Sequence, residues 1–249
     1  RINFQSHPWA REFCTATAGA LRQPFQPTPF ARRPRLEPHP TEAKLNGRIV
    51  ALIVSLGAGL RIACLAWAEG AMIDDAYITL RCAQNLVTGN GFVYNAGERV
   101  LATTAPLYGV LAAAVAVIGR SIPPGYSLGM LNTAAFVVSA VLLADLASEL
   151  GRKVTLLVLV IFACYLPFVD NTTTGMETPF FILGMTGSLA LLKRDHTAWA
   201  SLVVGLLVLV RPEGVIWALC LLAGACVAGR RPRPSCFLPA LGVVGAWLA

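Results

Sequence analysis

From residue 49 onward the sequence alternates apolar runs with short polar connectors, the runs falling at roughly 49 to 68, 104 to 119, 126 to 147, 154 to 169, 179 to 192, 198 to 210, 215 to 229 and 236 to 249. A segment that enters lipid finds no water for its peptide groups, so each N–H and C=O needs a partner within the segment, and a helix provides one. Composition points the same way. Hydrophobic residues make up 56% of the 249 and charged residues 13%, and the mean hydropathy is +0.64, outside the range of a soluble domain of this length. The expected fold class is all-α: a polytopic transmembrane helical bundle over residues 48–249. Because the last apolar run is cut at Ala249, the chain is expected to be truncated in its C-terminal half.

Residues 1–47 differ from the rest. They are rich in Pro and Arg, densest in QPFQPTPFARRPRLEPHP, and carry no sustained apolar period, which predicts a disordered tail. No apolar stretch precedes a small-residue cleavage site there, so the first membrane helix is expected to act as the anchor. The net charge of +7 comes from this tail and from the connectors, a distribution that speaks for membrane topology and against a nucleic-acid partner. Seven cysteines form no CxxC pair, and Cys64, Cys164, Cys220 and Cys226 lie inside apolar runs. Neither a disulfide framework nor a zinc site is indicated, and most are expected to be small buried hydrophobes.

The positive-inside rule places Arg32, Arg33, Arg35, Lys44 and Arg48 in the cytoplasm, so the first helix exits and the polar stretch after it lies outside. If 104 to 119 also crossed, Arg152-Lys153, Lys193-Arg194 and Arg230-Arg231 would all face outward, against the rule. An interfacial or re-entrant 104–119 repairs all three. At about 16 residues, with Pro106 near its start, that run is also short against the roughly 20 that a crossing needs. Three polar islands then share the outer side and are expected to converge: the loop from Asp74, Asn171 to Thr178, and Arg211 to Gly214.

The first island carries the densest chemistry. Asp74 and Asp75 directly follow apolar sequence, and the pattern predicts a helix from Ala76 to about Val87. Asp74, Ile78, Arg81 and Asn85 fall on one face, with Ala76, Leu80, Ala83 and Val87 forming an apolar stripe on another. Asp74 and Arg81 are two turns apart, about 10.5 Å along the axis, so one ligand can touch both. Gly89-Asn90-Gly91 and Asn95-Ala96-Gly97 predict tight turns before Glu98 and Arg99. In the second island Thr178 is the expected N-cap of a helix opening at Pro179, with Glu177 beside it. In the third, Arg211-Pro212-Glu213-Gly214 interrupts a run of about 32 residues and predicts a turn recessed into the membrane. Arg61, inside the first helix, is expected either to snorkel to the outer surface or to join the site.

DDAYITLRCAQNLVTGNGFVYNAGERV, then TTAPLYG, TGMETPFF and RPEG, taken in that order, resembles the GT-C superfamily of integral membrane glycosyltransferases that use polyprenyl-phosphate sugars. It is most similar to the mycobacterial terminal arabinofuranosyltransferase kind and its bacterial relatives. The resemblance runs from about residue 48 to the end. It implies a bacterial plasma-membrane enzyme with juxtamembrane helices in the first extracytoplasmic loop, transferring a sugar on the outer face to a glycan, lipid or protein acceptor. By motif it implies that Asp74 and Asp75 are catalytic and that Arg81, Asn85, Asn95, Glu98, Arg99, Glu177, Arg211 and Glu213 surround the substrates.

Inverting glycosyl transfer needs a base for the acceptor hydroxyl, and a carboxylate within reach can serve. The leaving lipid phosphate needs cationic stabilisation, from Arg81, Arg99 or Arg211, or from a divalent cation (Mg or Mn) held by Asp74 and Asp75. The competing reading is a polytopic transporter or flippase-like protein, in which intramembrane charges bind or relay a solute. Against it, no inverted repeat is visible and the polar islands collect on one side.

Overall fold

The computed structural model describes residues 45–98, 100, 102–227 and 237–248. The tail through residue 44, Arg99 and the Arg230-Arg231 connector lie outside the described residues. Among the described residues the chain is all-helical: α1 Gly47–Trp67, α2 Asp74–Val87, α3 Pro106–Ile118, α4 Pro124–Ala147, α5 Arg152–Cys164, α6 Leu166–Thr173, α7 Thr178–Lys193, α8 Thr197–Val210, α9 Gly214–Val227 and α10 Leu238–Leu248. Asn46 caps α1 by accepting from the Arg48 N–H at 3.0 Å. Prolines open α3, α4 and α7, where a missing N–H costs nothing.

Two helices are long and apolar enough to cross a membrane, α1 and α4 with its continuation to Leu150. A third span results if α5 and α6, bent by 48° at their junction, count as one. These are the helices of a membrane protein, and their outward faces carry Leu52, Leu56, Ile62, Val141, Leu157 and Ile161 exposed. Cys164, Cys220 and Cys226 share that outward exposure. The expectation of buried cysteines is corrected there; among the described residues only Cys82 is fully buried.

The apolar run at 154–169 is not one helix but is broken at Tyr165, between α5 and α6. Pro167 is the cause: it has no N–H for the carbonyl of Ala163, four residues back, and its ring crowds that position. Arg61 supplies the missing donor. Its Nη1 donates to Ala163 O at 3.0 Å and to Gly57 O at 2.9 Å, while the guanidinium lies 3.5 Å over the Phe136 ring and 5.0 Å from Phe168. Arg61 therefore neither snorkels nor faces the polar islands; it is fully buried between α1, α4 and the α5–α6 break. Close approach of α1 allows this, since a Cβ on Gly57 would stand 2.7 Å from Phe136 and 3.0 Å from Ala163. Val54, Phe136, Ala140, Ala163 and Phe168 form the surrounding core.

α2 and α3 lie against each other through Ala83, Ala105, Tyr108, Ala112 and Ala113, joined by Leu128 from α4. α3 has 13 residues, about 20 Å, short of a hydrocarbon core of about 30 Å. α7, α8 and α9, at 16, 14 and 14 residues, are also short, so length alone does not set α3 apart from them. The break between α8 and α9 falls at Arg211–Glu213, where a Cβ on Gly214 would meet the Val208 backbone nitrogen at 2.7 Å. Only glycine allows so tight a return.

Candidate functional site

Asp74 and Asp75 form the first turn of α2, where the helix dipole favours negative charge by roughly 0.3 to 1 kcal/mol each. Both are exposed, while Ala76, Leu80 and Ala83 turn inward as the periodicity predicts. Val87 does not; it is exposed, and Leu86 packs on the core in its place. The preceding Ile73 N–H donates to Thr174 O at 3.3 Å. Gly175 lies at positive φ against the same turn, its would-be Cβ 3.3 Å from that of Ala76 and 3.4 Å from Met72 Sδ. The first and second polar islands are thus in backbone contact.

The second island is held from below by two residues that the sequence reading passed over. Asn132, fully buried in α4, donates through Nδ2 to Met176 O at 2.9 Å and Thr172 O at 3.2 Å. Its Oδ1 lies 3.1 Å from the Tyr108 hydroxyl, which is also 3.0 Å from Gly175 O, so one phenolic proton is shared between two acceptors. Burial, partly offset by the Asn132 bond, holds the Tyr108 phenol above its usual range, so it stays a neutral donor. A lone Asn inside the apolar run 126–147 was the available signal, because an amide there needs partners.

The third island closes on the second through Arg211. Its Nε lies 3.5 Å from Glu177 Oε1, its Nη1 3.4 Å from Thr178 Oγ1 and its Nη2 3.4 Å from Glu213 Oε1. Glu177 is buried, Glu213 exposed. Thr178 is not the N-cap; Glu177 occupies that position without a side-chain bond. The Thr178 hydroxyl is used otherwise, donating to Asn171 Oδ1 at 3.2 Å while it accepts from Arg211. Asn171 Nδ2 in turn donates to Pro167 O at 2.7 Å, tying the cluster to the α5–α6 break. Beside Asn171 and Thr178 opens an apolar groove of about 380 Å³ walled by Leu143, Phe162, Phe168 and Ile182.

The remaining sequence-predicted residues do not join this cluster. Asn85 faces inward rather than along the Asp74 face, because the chain turns back after Gly91 and Asn85 Nδ2 holds the carbonyls of Val93 and Tyr94, both at 2.8 Å. Asn95 donates to Glu98 Oε2 at 3.0 Å in an exposed turn. Arg81 lines a separate groove with Tyr77, Gln84 and Tyr94, which neither Asp74 nor Asp75 lines.

Among the described residues no group of three or more His, Cys, Asp or Glu side chains is placed to hold a metal ion. Two adjacent carboxylates do fit the magnesium mode in which one or two carboxylates share the ion with substrate phosphate and water.

Comparison with known proteins gives one informative match. Sixty residues, 24% of this chain, are 42% identical to a terminal beta-(1->2)-arabinofuranosyltransferase of Corynebacterium glutamicum. Over that stretch the chain is related to a glycosyltransferase. The match spans only 9% of that relative's length. No family model matches the chain, and no solved structure does.

Proposed function

We propose that this chain is part of a GT-C type membrane glycosyltransferase that moves a sugar from a polyprenyl-phosphate donor to an acceptor glycan, lipid or protein on the outer face of a bacterial plasma membrane. The observation that carries the reading is that three polar islands, far apart in sequence, adjoin one another: the turn into α2 at Ile73 and Ala76 lies against Thr174-Gly175, and Arg211 pairs with Glu177 and with Glu213. The relationship to an arabinofuranosyltransferase supports sugar transfer, and the apolar groove beside Asn171 and Thr178 suits a prenyl chain whose head lies near Arg211.

In the proposed step an Asp74 or Asp75 carboxylate accepts the acceptor hydroxyl proton while that oxygen bonds to the anomeric carbon. The bond from the anomeric carbon to the phosphate oxygen breaks, and the prenyl phosphate leaves with the electron pair. Arg211 stands between Glu177 and Glu213 and is already largely compensated, so the cluster carries more negative than positive charge. In the alternative role of the pair, Asp74 and Asp75 would instead hold a divalent cation supplying the positive charge that the departing phosphate needs.

The test is transfer of label from radiolabelled polyprenyl-phosphate sugars by membranes containing the full-length protein. Replacing Asp74 and Asp75 together by Asn keeps size and hydrogen bonding but removes the proton acceptor, and should lower transfer about 10²- to 10⁴-fold at unchanged protein level. Near-parental transfer by this double variant would overturn the reading. Loss of solute uptake in its place would favour a transporter.

A further inference from the structure

We infer that the groove holding Arg81 is the binding site for a carbohydrate chain, the acceptor side of the proposed reaction. Four side chains give it its character. Tyr77 and Tyr94 are both substantially exposed and line a groove of about 550 Å³ together with Arg81 and Gln84, a volume within the range of ligand pockets. Phenol rings offer flat apolar faces to the C–H faces of a sugar, while Arg81 and Gln84 offer donors in fixed pairs to vicinal hydroxyls. A prenyl chain does not suit a wall of this polarity, and the apolar groove beside Asn171 is lined for one.

The groove is built rather than incidental. Its floor is a backbone contact between Gly70, at φ +71°, and Gly125, so close that a Cβ on Gly125 would overlap the Gly70 carbonyl oxygen. Tyr94 is set in place by Asn85, whose buried amide clamps the carbonyls of Val93 and Tyr94. Met72 lines the groove and also lies beside Gly175, where an added Cβ would stand 3.4 Å from its Sδ, so the groove wall is shared with the loop that follows α6. A chain lying along α2 from Gln84 toward Asp74 covers ten residues, about 15 Å, and delivers its terminal hydroxyl to the carboxylates. Arg81 then serves the acceptor and not the donor phosphate. Naming this glycan the acceptor rests on the transferase reading; the groove's ligand class rests on the lining alone.

The experiment titrates the full-length protein in lipid nanodiscs with a panel of neutral pento- and hexo-oligosaccharides, and separately with a short-chain prenyl phosphate. At least one oligosaccharide should bind, with Arg81→Gln weakening it about tenfold or more and Tyr77→Ala or Tyr94→Ala about three- to tenfold, while prenyl phosphate binding holds. Asn85→Ala should weaken the oligosaccharide through displaced Tyr94, without changing the Arg81 side chain. The inference is overturned if no oligosaccharide binds, if Arg81→Gln leaves its affinity unchanged, or if prenyl phosphate is the ligand that Arg81→Gln releases. If oligosaccharide binding behaves as expected but the parent protein transfers no sugar, the groove stands and the transferase reading falls.

Discussion

Replacing Asn132 by Leu tests whether the second polar island is positioned by the buried amide beneath it. The side chain keeps its approximate volume but loses both donors, leaving the carbonyls of Thr172 and Met176 without the Nδ2 that reaches them at 3.2 and 2.9 Å. Each buried carbonyl left unmatched costs about 1 to 3 kcal/mol, so roughly 2 to 6 kcal/mol is expected. At about 2 to 4 °C per kcal/mol for a chain of this size, a mid-range loss of about 4 kcal/mol lowers the unfolding midpoint by some 8 to 16 °C. Asn132→Asp should be worse, because it turns a carboxylate toward two carbonyl oxygens. Tyr108→Phe should cost about 1 to 3 kcal/mol, and the double variant less than the sum, since the Tyr108 hydroxyl is shared between Asn132 and Gly175. Tryptophan fluorescence of the detergent-purified protein follows the transition. A midpoint for Asn132→Leu within about 2 °C of the parent, or an Asp variant firmer than the Leu variant, would refute the reasoning.

Arg61→Ala should destabilise by about 3 kcal/mol, because it strands the Ala163 carbonyl and uncovers the Phe136 ring, and the same thermal assay measures it. Arg61→Lys should recover only part, lacking the planar group that lies on the ring. If α3 does not cross the membrane, cysteines introduced at Ala96 and at Arg231 should label from opposite faces; labelling from one face would end the topology argument.

The helices were legible because each apolar run is long and bounded by proline, glycine or charge. The eight runs correspond to the described helices to within a few residues, α2 apart, and the one additional boundary, at Tyr165, lies two residues before Pro167. That signal stood in the sequence, but the donor that makes the break tolerable comes from Arg61, 102 residues away. The aspartate head of α2 followed from local motifs, and the meeting of the second and third islands from a topology count, although the Glu177–Arg211 contact itself was not foreseen. Asn85 did not, since helical spacing put it with Asp74 and Arg81, whereas a chain reversal after Gly91 gives its amide two carbonyls to hold. Pattern reading sees one helix at a time; which side chains are claimed by a neighbouring loop depends on contacts outside the window.

The bond from Arg61 to Ala163 also bears on how the protein is made. α1 leaves the ribosome carrying a charge that costs on the order of 2.5 to 3.5 kcal/mol near a bilayer centre. The carbonyl and the Phe168 ring that receive it emerge a hundred residues later, roughly 5 to 20 s at translation rates of about 5 to 20 residues per second. Until α5 and α6 are made, Arg61 Nη1 has only the Gly57 carbonyl of its own helix, so the final packing of α1 waits on residues a hundred positions downstream.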